Sequence, residues 1–159
     1  MLTSGLISPK RSIIRRTLLI TNYKTMINSQ GLIPKDKFDI DAVKRLSLAT
    51  PEQVSAAAIP ILEWIADMNW PVALKIIHVL PKFHKELIAS IEQILANPKN
   101  DIIWKYWIIS QLLIQFPKES LMTLHPIIQE YAELIPNNED EENLKKVSLD
   151  FLAWYNKRE

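Results

Sequence analysis

The chain has 159 residues, 48% hydrophobic and 23% charged, a globular composition long enough to bury a single core without metals or crosslinks. It contains no cysteine and only two glycines, Gly5 and Gly31, which excludes disulfides, thiolate chemistry, cysteine-bound metal and glycine-rich phosphate loops. The formal net charge is +1, but residues 1–25 carry Lys10, Arg11, Arg15, Arg16 and Lys24 with no acid, which leaves the rest of the chain at −4 by side-chain count.

In residues 1–25 the basic side chains are mixed with short apolar groups, without the unbroken apolar core and small-residue cleavage site of a secretory leader. This stretch is expected to be an extension, either a flexible or loosely docked arm or a first helix, ahead of one helical domain over 26–159. Met26 is an alternative natural start close to the same boundary. Lys75, Lys82, Lys85, Asp101 and Lys105 interrupt the most apolar stretch, so no run reaches the roughly 20 residues of a membrane span. A soluble, cytoplasmic protein with no membrane partner is the expectation.

Helical signals begin at Asp39, which can cap "IDAVKRLSLA", with Ile40, Val43, Leu46 and Leu48 as its stripe. Thr50 caps the next helix, with Pro51 at the first helical position and Glu52 and Gln53 in the first turn. Val54, Ala58, Ile61, Leu62 and Ile65 form its buried face, and Trp64 lies at the edge. Pro60 interrupts the pattern and is expected to kink or split the helix. Asp67 and Asn69 close that segment and open the next, where Pro71 falls in the first turn and Leu74, Ile77, Val79 and Leu80 supply the apolar surface. After Pro81, the spacing of Phe83, Leu87, Ile88, Ile91, Ile94 and Leu95 predicts a helix running to about Asn97.

Asp101 caps "DIIWKYWIISQLLIQF", which is apolar nearly all round and therefore expected to be enclosed by neighbours until Pro117 ends it. Leu121, Leu124, Ile128, Tyr131 and Ile135 define a one-faced helix, and Leu144, Val147, Phe151 and Trp154 a last one. The acids Glu139, Asp140, Glu141 and Glu142 fall at the start of that last helix, where negative charge is favourable. In all, six to eight helices and no sheet are expected over 39–156, the upper count applying if Pro60 splits its helix.

Trp70 and Trp104 stand 34 positions apart, and "LPK" at 80–82 returns as "FPK" at 116–118. This layout predicts an all-α fold of stacked antiparallel helical hairpins of the HEAT-like kind, with an irregular helical bundle as the alternative. "LIPKDKFD", "LEWIADMNWPVA" and "WKYWII", in that order, resemble the pattern of a family of small bacterial all-helical proteins catalogued as a domain of unknown function. Trp70 and Pro71, preceded by Asp67 and Asn69, are fairly specific to that pattern. The resemblance implies a helical, HEAT-like fold over roughly residues 30–155 and leaves the basic arm outside. No activity, cofactor or catalytic residue comes with it.

The tryptophan-rich corner is the candidate binding site: Glu63, Trp64, Asp67, Asn69 and Trp70, joined by Lys105 and Tyr106 if adjacent hairpins stack in register. An indole can stack on a ligand and Asp67 can accept a hydrogen bond. The simpler reading assigns the polar residues to caps and the indoles to the core, with Trp70 as an anchor. Glu63 and Asp67, four apart, can form an acid–base pair or stay solvated on an outer face. His78, His84 and His125 lack the spacing of metal ligands on one helix. No catalytic residue, metal or cofactor is assigned. The expected function is a scaffold that binds another protein. A small-ligand binding protein or an enzyme without a recognisable motif is the first alternative. A HEAT-like nucleic-acid-binding protein is the second, disfavoured by the net-negative body; contact with nucleic acid through the basic arm is the exception.

Overall fold

The structure, a computed structural model, describes residues 29–158, so the segment 1–25 and Met26 lie outside the described residues. Eight α-helices lie wholly within it: α1 (Ile40–Ser47), α2 (Pro51–Ala56), α3 (Ala58–Leu62), α4 (Ala73–Ile76), α5 (His84–Ala96), α6 (Ile102–Trp107), α7 (His125–Ala132) and α8 (Glu139–Lys157). Tight 3-10 turns follow at Glu63–Ile65, Leu80–Phe83, Leu113–Gln115 and Lys118–Leu124, and a wide π turn at Ile108–Leu112. There is no β-strand among the described residues, so the fold is all-α as expected.

The helices start where short polar side chains can satisfy free backbone N–H groups. Asp39 accepts from the Ala42 N–H at 3.1 Å and from the Lys35 N–H at 3.1 Å. The Lys35 N–H, with that of Ala42 and the Arg45 charge behind it, outweighs desolvation and holds the Asp39 carboxyl below its ordinary range. Thr50 and Gln53 form a reciprocal capping box ahead of Pro51. Asn138 accepts from the Glu141 N–H at 2.9 Å, and all four acids of residues 139–142 lie in the first turn of α8. Pro60 has no N–H to offer the Ala56 carbonyl, and the helix breaks at Ala57 into α2 and α3.

The long helix α5 organises the core. It packs against α2 and α3 from the first half of the chain and against the Lys118–Leu124 turn and α7 from the second. Leu87, Ile91, Ile94 and Leu95 fill these contacts. Helix α8 lies against α6, the π turn and α7, burying Leu144, Phe151 and Leu152.

Several side chains depart from the sequence pattern for local reasons. Leu48 is 85% exposed because it follows the last turn of α1 as its cap, and Ile40 is exposed at the first turn; Ala42, Val43 and Leu46 carry the burial. Leu74 is 53% exposed. The Val72 N–H donates to the Lys37 carbonyl at 3.1 Å, and this pins α4 in a phase that turns Val72, Ala73, Ile76 and Ile77 inward. Ile135 is exposed because α7 stops at Ala132. The segment from Ile102 widens to the π turn and tightens again before Pro117, leaving Ile103 and Ile114 exposed, so it is not enclosed all round. Trp70 is half-buried, and Trp104, 8% exposed, is the buried indole instead. No helix among the described residues is long and apolar enough to cross a membrane.

Candidate functional site

The break at Pro60 shapes the tryptophan corner. Helix α3 ends within two residues of the proline and tightens into the 3-10 turn Glu63–Ile65, where the Ala66 N–H donates to the Glu63 carbonyl at 3.0 Å. Asp67 then reverses the chain. Its Oδ1 accepts from the Asn69 backbone N–H at 2.9 Å and from Asn69 Nδ2 at 3.0 Å, while its carbonyl accepts from the Trp70 N–H at 3.2 Å. This turn brings Trp70 back onto Trp64, with ring centroids 5.4 Å apart and planes tilted by 58°.

The two indoles line a half-open depression of about 280 Å³ together with Ile33, Pro60 and Glu63. Ile33 comes from the segment ahead of α1, which is fastened at both ends: Arg45 Nε donates to the Gly31 carbonyl at 2.6 Å, and the Lys37 carbonyl holds Val72. Glu63 is exposed, and among the described residues its carboxylate has no ion-pair or hydrogen-bond partner. Of the seven residues expected at this site, Glu63, Trp64 and Trp70 line the depression. Asp67 and Asn69 build the turn beneath it. Asp67 Oδ1 is held by Asn69, and Asp67 does not share the lining of the depression with Glu63.

The structure takes Lys105 out of the candidate site. It is 4% exposed, and its ammonium donates to the Asn97 carbonyl at 2.7 Å and stands 5.5 Å from the centre of the Tyr131 ring. Burial lowers its pKa. The last carbonyls of α5 lack helical donors and are served by side chains instead: Asn100 binds the Ile94 carbonyl at 3.0 Å, and the Tyr131 hydroxyl donates to that of Leu95. Burial, and then the charge of Glu130, pushes the Tyr131 phenol up to about 12. A cation at the C-terminal end of a helix is favourable, so Lys105 has a structural use. Tyr106 is half-buried and packs edge-on against Trp107 at 4.9 Å. The indole that turns toward the corner from α6 is Trp104, whose Nε1 donates to the Leu62 carbonyl at 2.9 Å.

A second recess was not foreseen from the sequence. Ile109, Ser110, Ile114, Val147, Asp150, Phe151 and Trp154 line a cleft of about 330 Å³ between the π turn and α8. The Ser110 hydroxyl is buried there without a hydrogen-bond partner. A serine inside an ordinary α-helix can bond the carbonyl four residues back, and the π turn alters that spacing. The available signal was one serine within an apolar run, "WIISQLLI".

Two of the three histidines serve local packing. His84 Nδ1 lies 2.6 Å from Ser120 Oγ, His125 packs on Tyr155 at 5.3 Å, and His78 is exposed. Among the described residues no three His, Asp or Glu side chains gather as a metal set.

The family described as "Domain of unknown function (DUF5071)" matches residues 32–152. The chain belongs to the DUF5071 family. The match takes in the whole tryptophan corner and most of the Ser110 cleft and leaves out the basic segment 1–25, as the resemblance implied. No curated protein matches the chain.

Proposed function

We propose that this DUF5071 domain works by binding another protein, and that the docking face is the depression formed by Trp64, Trp70, Glu63, Pro60 and Ile33. The observation that carries this reading is the contact of two half-buried indoles, 5.4 Å apart, on a turn fixed by the Asp67 carboxylate. Tryptophan is enriched among the few residues that carry most of the energy of an interface, since it buries a large area with few rotatable bonds. A turn already locked in place lowers the ordering cost of association. The same proposal takes the helices as HEAT-like stacked hairpins in a cytoplasmic protein. The spacing of the Trp-led stretches and the packing of both chain halves on α5 support the stacking. Affinity capture with full-length wild type and with Trp70→Ala, each shown to be folded by its thermal transition, tests the docking face. A specific partner held by wild type and released by the variant is expected; equal capture would remove the corner from the interface.

A second reading, small-ligand binding, rests on the unpartnered Ser110 hydroxyl in its largely apolar cleft. Native mass spectrometry of the full chain would show a bound small molecule that Ser110→Leu abolishes. A spectrum of the bare polypeptide in both proteins would dispose of this reading.

A further inference from the structure

We infer that the Trp64–Trp70 depression receives the guanidinium of an arginine side chain presented by the partner protein, a deepening that rests on the docking face proposed above. The walls of the depression are two indoles, one proline and one isoleucine, and its charged lining group is Glu63. The face of an indole carries negative potential and attracts a cation. No Lys or Arg lines the site, and the Glu63 carboxylate lacks a partner among the described residues. The neighbouring acid, Asp67, is already bonded to Asn69.

These features select among occupants. An anion would meet an uncompensated carboxylate. A purely apolar side chain would cover Glu63 and strip its water without replacing it. A lysine ammonium is strongly hydrated and loses that water against an indole face, whereas a guanidinium is planar and weakly hydrated. It can lie flat on an indole while its N–H fork meets a carboxylate. With ring centroids 5.4 Å apart, the two indoles leave no gap for a guest between them. The guanidinium therefore lies across the surface the rings present together, with its fork toward Glu63. Outside residues 1–25 the side-chain charge is −4, which favours approach of a cationic partner.

The test follows the indole N–H signals of all five tryptophans in the full chain by NMR while N-acetyl-arginine methylamide is added at low salt. The citrulline counterpart has the same shape without the charge, and the lysine counterpart has the charge without the planar fork. The arginine amide is expected to shift the Trp64 and Trp70 signals saturably and leave Trp104 unmoved. Citrulline and lysine should bind more weakly, and Glu63→Gln should weaken arginine about tenfold with an unchanged thermal midpoint. Equal shifts with arginine and citrulline, no shift with arginine, or indifference to Glu63→Gln would overturn the assignment. Indole signals that move when Arg15 and Arg16 are replaced by Gln in the free full chain would hand the site to the chain's own basic segment, and would overturn the partner. If the arginine tests fail while Trp70→Ala still releases the captured partner, the docking face stands and its ligand chemistry falls. If capture is also indifferent to Trp70, both fall.

Discussion

Trp70 and Trp104 head two stretches of similar wording, 34 positions apart, each leading through apolar residues to a Pro-Lys pair, yet one indole stays at the surface and the other joins the core. Around Trp70 the chain has just reversed at Asp67, which returns the indole onto Trp64, and α4 lasts only four residues ahead of Pro81, which has no N–H for the Ile77 carbonyl. Around Trp104 the chain is capped by Asp101, which accepts from the Ile103 N–H at 2.7 Å, and a long helical segment sets the indole against α3. The end of α3 is ready for it. The Ala66 N–H goes to the Glu63 carbonyl in the 3-10 turn instead of to Leu62, and the Leu62 carbonyl accepts from Trp104. The fate of a tryptophan at a helix start thus depends on which backbone group the neighbouring element leaves open.

The contrast can be broken by stability measurements. Trp104→Ala should cost about 3 to 5 kcal/mol in urea unfolding, the usual loss for a buried aromatic that leaves a cavity, here with the Leu62 carbonyl deprived of a donor as well. Trp70→Ala should cost about 1 to 2 kcal/mol, because part of its surface is already in water and it loses mainly its contact with Trp64. Equal losses at the two positions would erase the distinction.

Smaller effects sharpen it. The Trp104 stretch also carries Lys105, held beside Tyr131 at the end of α5. Tyr131→Phe should cost about 1 kcal/mol near neutral pH through the lost bond to the Leu95 carbonyl. Its pH dependence has a definite sign. With the folded phenol pushed up to about 12 from 10.0, the folded state keeps a proton that the unfolded chain loses, so stability is full below about pH 10 and falls toward pH 12. Tyr131→Phe should abolish that decline. Lys105 acts in the opposite sense, since its lowered pKa makes stability rise as pH climbs from its folded value toward 10.5. Urea midpoints measured across the alkaline range separate the two. The smallest change belongs to the Trp70 stretch: Leu74→Ser, at an exposed position of α4, should alter the urea midpoint by no more than about 0.5 kcal/mol. A loss several times larger would mean that this face is covered in solution.

The sequence by itself determined the features that depend on a few neighbouring residues. The caps at Asp39, Thr50 and Asp101, the break at Pro60, the acidic first turn of α8 and the end of α5 at Asn97 were all legible, because each is a contest between a side chain and backbone groups within about one helical turn. The tryptophan corner was legible as a place, and so was the presence of Glu63 beside two indoles. Tertiary structure alone decided which members face outward. Lys105 was expected to join the corner from the next hairpin, and it is buried instead with its ammonium on the Asn97 carbonyl at the end of α5. Trp104 was not singled out as the anchor, since its partner lies 42 residues away at Leu62. Ser110 gave no sign of an unpartnered hydroxyl, because the π turn beneath it arises where the segment packs against α8. Periodicity places a residue on a helix face, and only long-range packing decides whether that face meets water, another helix or a carbonyl in want of a hydrogen bond.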